Sequence, residues 1–157
     1  MKNMRASTRP TRRSARVEYT LPREDTSARW ARRLTAGFLN GSRTPPEAAL
    51  HMDEATLVVS ELVTNATRHG HSRCRLRLST APRSLTIEVH DDGTGHPVLR
   101  ATGPDGESGR GIALVSRLTR RLDVTDHPRG GKTVRAVLST GSGTGTVTGT
   151  GTGTGTA

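Results

Sequence analysis

The stretch VVSELVTNATRHG, residues 58–70, indicates an amphipathic helix that ends at a glycine. Its apolar side chains recur at helical spacing, which predicts a helix over about residues 51–69 with Gly70 as its C-terminal stop. Glu61 and Asn65 lie four positions apart, so they share one line of that helix. A carboxylate and an amide so placed form either an exposed polar pair or part of the wall of a site.

Composition bounds the class of protein. The chain has 157 residues, enough for one domain with one core, and its one Trp, one Tyr and one Phe mean that the core must be aliphatic. No apolar run of about 18 residues and no secretory signal is present, which predicts a cytoplasmic protein without a membrane span. The single cysteine, Cys74, excludes an intramolecular disulfide and a multi-cysteine zinc site.

The two ends of the chain differ in composition from its middle. Residues 1–16 hold six basic residues and no acidic one, which leaves 10 − 6 = +4 of the net charge of +10 for the rest. Such a segment can bind phosphate backbones, but no aromatic residue is interleaved to stack on bases, so the pattern favours a solvated, disordered tail over residues 1–13 and not direct nucleic-acid binding. Residues 141–157 are a Gly-Thr repeat without apolar surface, which predicts a second disordered tail. The folded domain is expected to span residues 14–140.

Strand and helix patterns alternate within that domain. The predicted elements are a strand over 16–21, helices over about 25–39 and 51–69, strands over 73–79 and 84–91, a short helix over 111–119, and strands over 122–125 and 132–139. Residues 41–49 are predicted to be a loop. Neighbouring strands near the end indicate hairpins, which predicts an α+β fold: a two-layer α/β sandwich whose mixed, mostly antiparallel sheet is covered on one face by about three helices.

Asp91 is predicted to face those helices, because the alternation of apolar residues over 85–89 continues to it at the end of the strand. A carboxylate that faces the interior needs a partner, since burial of an unpaired charge is costly. The segment Asp92-Gly93-Thr94-Gly95 follows, and its glycines permit close approach of the main chain to a ligand. A turn with a capping aspartate explains the same residues.

A second glycine motif, SGRGI at residues 108–112, precedes the predicted helix at 111–119. Glycines at a helix N-terminus expose N–H groups to an anion, and the helix dipole adds to that attraction. A lone motif of this kind is also typical of a lid hinge, and no GK[ST] sequence follows a strand as in a Walker loop. Residues 96–108, between the two glycine motifs, are predicted to form a lid over a ligand.

Four short motifs occur in an order that resembles a known superfamily. They are Glu61-x-x-x-Asn65, Asp91-x-Gly93-x-Gly95, Gly109-x-Gly111 and Gly131-Lys132-Thr133-Val134. The first three resemble the N, G1 and G2 boxes of the gyrase, heat-shock chaperone, histidine kinase and mismatch-repair ATPases. The fourth is similar to a threonine motif in the branch of bacterial anti-sigma-factor serine/threonine kinases, which residues 60–70 also resemble. The resemblance covers about residues 16–139 and implies the Bergerat ATP-binding fold.

The resemblance implies that one end of the site binds the base of ATP. Asp91 would accept a hydrogen bond from the adenine amine, and Thr133 would hydrogen-bond nearby. Gly93 and Gly95 would let the main chain pass close to the base.

The other end would hold the phosphates. Asn65 would bind Mg²⁺ through its amide oxygen, a hard ligand for a hard cation. The main-chain N–H groups of Gly109, Arg110 and Gly111 would donate to phosphate oxygens. Glu61 would act as the catalytic base that orients a serine hydroxyl, or a water, toward the γ-phosphate.

Three functions remain open at this point. The first is a serine/threonine kinase that binds a sigma factor and phosphorylates an anti-sigma-factor antagonist. The second is an ATP-binding regulatory module without kinase activity, and retention of Glu61 favours the first over it. The third is the detached catalytic domain of a histidine kinase, which is disfavoured because the chain has no room for a dimerisation hairpin with a phosphoacceptor histidine. Members of such families often form homodimers, so the resemblance also implies a homodimer.

Overall fold

The computed structural model describes residues 14–94 and 107–141. The elements within them are β1 (Arg16–Leu21), α1 (Ser27–Leu39), α2 (Pro46–Ala49), α3 (Met52–His69), β2 (Cys74–Ala81), β3 (Ser84–Asp91), α4 (Glu107–Leu118), β4 (Arg121–Asp126) and β5 (Lys132–Ser139). The predicted N-terminal tail, all but the first residue of the predicted C-terminal tail, Gly95 and the predicted lid as far as residue 106 lie outside this part of the chain.

The strands form one five-stranded sheet in the order β1-β2-β3-β5-β4. Each pairing between these strands is antiparallel, so the sheet that was expected to be mixed is antiparallel throughout its described extent. α3 packs over β2, β3 and β5, α1 packs over β1 and β2, and α4 contacts α3 and β4. The α+β fold with helices layered on a sheet is therefore confirmed, and α3 is its central helix.

The core lies between α3 and the inner face of the sheet. The strands contribute alternate residues that are almost fully buried, namely Leu76, Leu78, Leu85, Ile87 and Val89. α3 contributes Val58, Val59, Leu62 and Val63, all at most 2% exposed. Each such side chain stabilises the fold by about 1.5–3 kcal/mol through burial. This packing fixes the position of α3 across the strands. It therefore also fixes where Glu61 and Asn65 lie.

Two local features differ from the sequence predictions. Pro46–Ala49 forms the short helix α2 within the predicted loop, because proline is pre-organised for the first helical turn and Ala48 packs into the core at 2% exposure. α4 begins at Glu107 and not at residue 111. Glycine costs about 1 kcal/mol in a helix relative to alanine, and burial of Ile112 and Val115 offsets that cost. None of the described helices combines the length and apolarity needed to cross a membrane.

Candidate functional site

The C-terminal end of α3 lies directly beside the end of β3. A Cβ atom added to Gly93 would overlap the main-chain oxygen of His69, and one added to Gly70 would lie 2.5 Å from the oxygen of Ala66 and 3.4 Å from Cβ of Asp91. Gly70 is extended, with φ −76° and ψ 162°, so close packing and not a left-handed turn explains the glycine. The segment that carries Asp91 and Gly93 therefore packs against the last turn of α3, just after Asn65.

The third motif meets α3 about two turns earlier. A Cβ atom added to Gly111 would overlap Oε2 of Glu61 and lie 2.8 Å from its Cδ, so the carboxylate lies against the main chain of α4. From Glu61 to His69 the helix advances about 12 Å, at 1.5 Å per residue. The described parts of the second and third motifs thus contact α3, the helix that carries Glu61 and Asn65, about two turns apart.

Asp91 faces the interior as predicted and is 2% exposed. Its Oδ1 accepts a hydrogen bond of 2.8 Å from the N–H of Gly93 and one of 3.1 Å from Nζ of Lys132. Lys132 is itself 2% exposed, so the two side chains form a buried ion pair. Burial costs several kcal/mol per ion, which mutual attraction and good hydrogen bonds offset.

Thr133 points away from Asp91, near which the resemblance implies that it would hydrogen-bond. The register of β3 and β5 pairs Asp91 with Lys132 and His90 with Thr133. Side chains alternate between the faces of a sheet, so Lys132 points inward and Thr133 points outward. Oγ1 of Thr133 lies 2.7 Å from Nε2 of His127 and 3.2 Å from Nδ1 of His90. Lys132 therefore takes the place beside Asp91 that was expected for Thr133.

Lys132 is the residue that the sequence reasoning missed. The signal for it was present, because Val134, Ala136 and Leu138 alternate along β5 and are all buried. Continuing that alternation backward leads to Lys132, in the same way that the alternation of β3 leads to Asp91. The family motif drew attention to the threonine instead.

Asp92 plays a different part from its neighbour. Its carboxylate accepts hydrogen bonds from the hydroxyl of Ser72 at 2.7 Å and from the main-chain N–H groups of His71 at 2.7 Å and Ser72 at 3.2 Å. These bonds, the Ser72 hydroxyl first, lower the pKa of Asp92 to about 2. A capping aspartate and an inward carboxylate were alternatives for this segment, and Asp91 is both, because it faces inward and accepts the N–H of Gly93, whereas Asp92 binds the segment after α3.

Burial and the negative charge of Asp91 both affect the pKa of Cys74 on the neighbouring strand, β2. Cys74 is the first residue of β2, faces the core and is 2% exposed. Burial, and after it the charge of Asp91, raise the pKa of the Cys74 thiol to about 11. Cys74 is thus an apolar packing residue on the strand next to Asp91.

The glycines of α4 differ in what they can offer an anion. Gly109 lies in the first turn of the helix, where N–H groups lack acceptors within the helix. Gly111 lies further in, where the N–H group bonds the carbonyl four residues earlier. In this conformation Gly109 suits the predicted phosphate contact, whereas Gly111 serves by leaving room for Glu61. Arg110 lies between them in the same helix.

Asn65 lies one turn after Glu61, and both are half-buried. Within residues 14–94 and 111–141, no group of three or more His, Cys, Asp or Glu side chains could hold a metal ion. An amide oxygen from Asn65 nevertheless fits Mg²⁺, because that ion commonly takes one or two protein ligands and completes its shell with waters and substrate phosphates.

The opposite face of the sheet is polar and lies away from this site. Arg77 donates hydrogen bonds of 3.0 and 2.8 Å to Glu18, so ion pairs form across this face. A shallow cavity of about 350 Å³ lies there, lined among others by Arg77, His90, His127 and Thr133. Burial, followed by the charges of Arg75 and His127, lowers the pKa of His90.

A known protein family matches almost the whole of this domain. A family model described as a histidine kinase-like ATPase domain matches residues 21–138. The match runs from the last residue of β1 into β5 and so includes every motif discussed above. None of the curated proteins compared with the chain matches it.

Proposed function

Because this chain belongs to the histidine kinase-like ATPase family, we propose that it binds ATP along α3 and transfers the γ-phosphoryl group to a serine or threonine of a protein substrate. One observation carries the transfer step: the carboxylate of Glu61 is held against the main chain of α4, at the end of the site away from Asp91.

The base of the nucleotide would lie at the Asp91 end. The carboxylate of Asp91 is buried and already oriented by the N–H of Gly93, so it presents an acceptor to the exocyclic amine of adenine. Gly93 has no side chain to keep the base away from the junction of α3 and β3. Gly95, two residues on, would extend the same backbone path.

The phosphates would extend toward Glu61, past Asn65 and the first turn of α4. The N–H groups of that turn, from Gly109 and Arg110, would face phosphate oxygens and stabilise their charge through the helix dipole. Asn65 would hold Mg²⁺ through its amide oxygen, and the ion would supply positive charge that offsets part of the phosphate charge.

Glu61 would act on the attacking group. Its carboxylate accepts the proton of a serine hydroxyl while the hydroxyl oxygen bonds to the γ-phosphorus and the bond to the β-phosphate oxygen breaks, leaving ADP. General-base assistance of this kind contributes about 10²–10⁴-fold to a rate. A protein that only bound ATP would gain from losing this carboxylate, because it repels the phosphates. The placement of Glu61 therefore favours a transferase over a regulatory module that binds ATP without transfer.

We propose the partners on the resemblance of residues 60–70 to anti-sigma-factor kinases. The protein substrate would be an anti-sigma-factor antagonist, and a sigma factor would be the second partner. Assembly as a homodimer is part of the same proposal.

Transfer of the label from γ-labelled ATP to antagonist proteins tests the function. Glu61→Gln keeps the shape of the side chain, so we expect transfer to fall at least a hundredfold while ATP affinity is kept or rises. Glu54→Gln, on an exposed position of the same helix, is the matched control and should transfer normally. Wild-type protein that binds ATP yet labels no antagonist would support the regulatory module instead.

A further inference from the structure

Lys132 is a buried cation that the proposed reaction does not use. We propose that Lys132 is a positioning residue for base selection: its ammonium group keeps Asp91 an acceptor-only carboxylate, so that the site takes purine nucleotides with a 6-amino group and rejects those with a 6-carbonyl group. This inference rests on the proposed function, since it concerns the same nucleotide site.

The first step of the argument is electrostatic. Side chains of Asp91 and Lys132 are 2% and 3% exposed, so solvent does little to stabilise either charge. A buried carboxylate without a cation gains by taking up a proton. A protonated carboxyl group can donate a hydrogen bond, whereas an ionised one only accepts. The ammonium group donates to Oδ1 of Asp91 at 3.1 Å, a contact that only an accepting oxygen can make.

The second step is geometric. Lys132 from β5 and the N–H of Gly93 from the segment after β3 both bind Oδ1 of Asp91. Two donors on one oxygen from different directions restrict rotation of the carboxylate. The start of β5 is itself fixed, because a Cβ atom at Gly131 would lie 2.7 Å from the main-chain oxygen of Asp91. The pair is thus held by the register of the sheet.

The third step is the choice of ligand. An ionised carboxylate accepts a hydrogen bond from the amine of adenine. It forms no hydrogen bond with a carbonyl oxygen, because both groups are acceptors. ATP and inosine triphosphate differ in this way at the 6-position of the ring. Their ratio of dissociation constants therefore reports on the state of Asp91, and it is insensitive to changes at the shared triphosphate.

The test measures binding of ATP and of inosine triphosphate to wild type, Lys132→Met and Arg135→Met. Wild type should prefer ATP, and Lys132→Met should lose about tenfold or more of that preference, the amount expected for one hydrogen bond to a charged group. Arg135→Met removes a positive charge from the outer face of the same strand, where Arg135 is 43% exposed, and should keep the wild-type ratio.

Lys132→Met leaves a buried carboxylate without its cation, so folding is checked by circular dichroism and a second comparison is made. Asp91→Asn and the double variant Asp91→Asn/Lys132→Met both lack that charge. We expect their two ratios to be equal, because Lys132 acts only through Asp91. Unequal ratios, or a folded Lys132→Met variant with the wild-type ratio, would overturn the inference while ATP binding by wild type left the proposed function standing. Wild type that binds neither nucleotide would overturn both.

Discussion

The main chain of Gly111 in α4 lies against the carboxylate of Glu61 in α3, so the position of the proposed base depends on the absence of a side chain one helix away. Gly111→Ala should push the carboxylate aside and reduce phosphoryl transfer at least tenfold. The free energy of unfolding should stay level or rise by up to about 1 kcal/mol, because alanine favours a helix and the end of a glutamate side chain can move.

Gly37→Ala is the control for that variant. Gly37 lies in α1, and a Cβ atom there meets nothing within 4 Å. This substitution should bring the same gain in helix propensity and leave transfer intact. Stability is read from urea unfolding and transfer from labelled ATP. Full transfer by Gly111→Ala would show that Glu61 is not held in place by this contact.

Two adjacent glycines just before β5 allow backbone strain and close packing to be measured separately. Gly130 and Gly131 have φ of +98° and +88°, so alanine at either is strained by about 1–2 kcal/mol. Only at Gly131 would the added Cβ atom also approach the main-chain oxygen of Asp91, at 2.7 Å. We expect Gly131→Ala to lower the free energy of unfolding more than Gly130→Ala, as measured in urea. Equal losses would mean that the approach of the two strands relaxes without cost.

Asp92 predicts how part of the stability depends on pH. Its pKa is about 2 in the folded protein, against 3.8 for an ordinary aspartate. A depressed pKa means that the carboxylate stabilises the fold fully above the unfolded value and that this contribution is lost as pH falls from about 4 toward about 2. The difference in unfolding free energy between wild type and Asp92→Asn should therefore be largest at pH 5–7 and shrink at pH 3. A difference independent of pH would contradict the hydrogen bonds to residues 71 and 72.

Cys74 predicts slow reaction with thiol reagents. With a pKa of about 11, only about one thiol in a thousand is ionised at pH 8, and the side chain is also buried. Labelling by a disulfide reagent should be at least a hundredfold slower in native protein than in urea. Rapid labelling of the native protein would show that the Asp91 end of the domain opens easily.

Local patterns were enough to predict much of this fold. The period of α3 predicted that Glu61 and Asn65 share one line of the helix, and the alternation of β3 predicted that Asp91 faces inward. The start of α4 was not predicted, because glycine propensity argues against a helix that tertiary packing of Ile112 and Val115 sustains.

The sequence also did not predict that Lys132, and not Thr133, lies beside Asp91, and the reason there is strand register. Which residue of β5 meets Asp91 depends on the pairing of two strands that lie about forty positions apart in the sequence, and a shift of one residue reverses the faces. A motif defined by residue type alone does not contain that register. The alternation within β5 does contain it, once the strand is known to share the inner face.

The strand order described above also bears on aggregation. Among the described strands, β1 and β4 are the outermost, and each has six residues where the three between them have eight. Their outward positions carry ions of both signs, including Arg16 and Glu18 on one margin and Arg121 and Asp123 on the other. Short, charged margins discourage a neighbouring molecule from continuing the sheet. Fibrous stacking of copies through the margins of the sheet is therefore disfavoured.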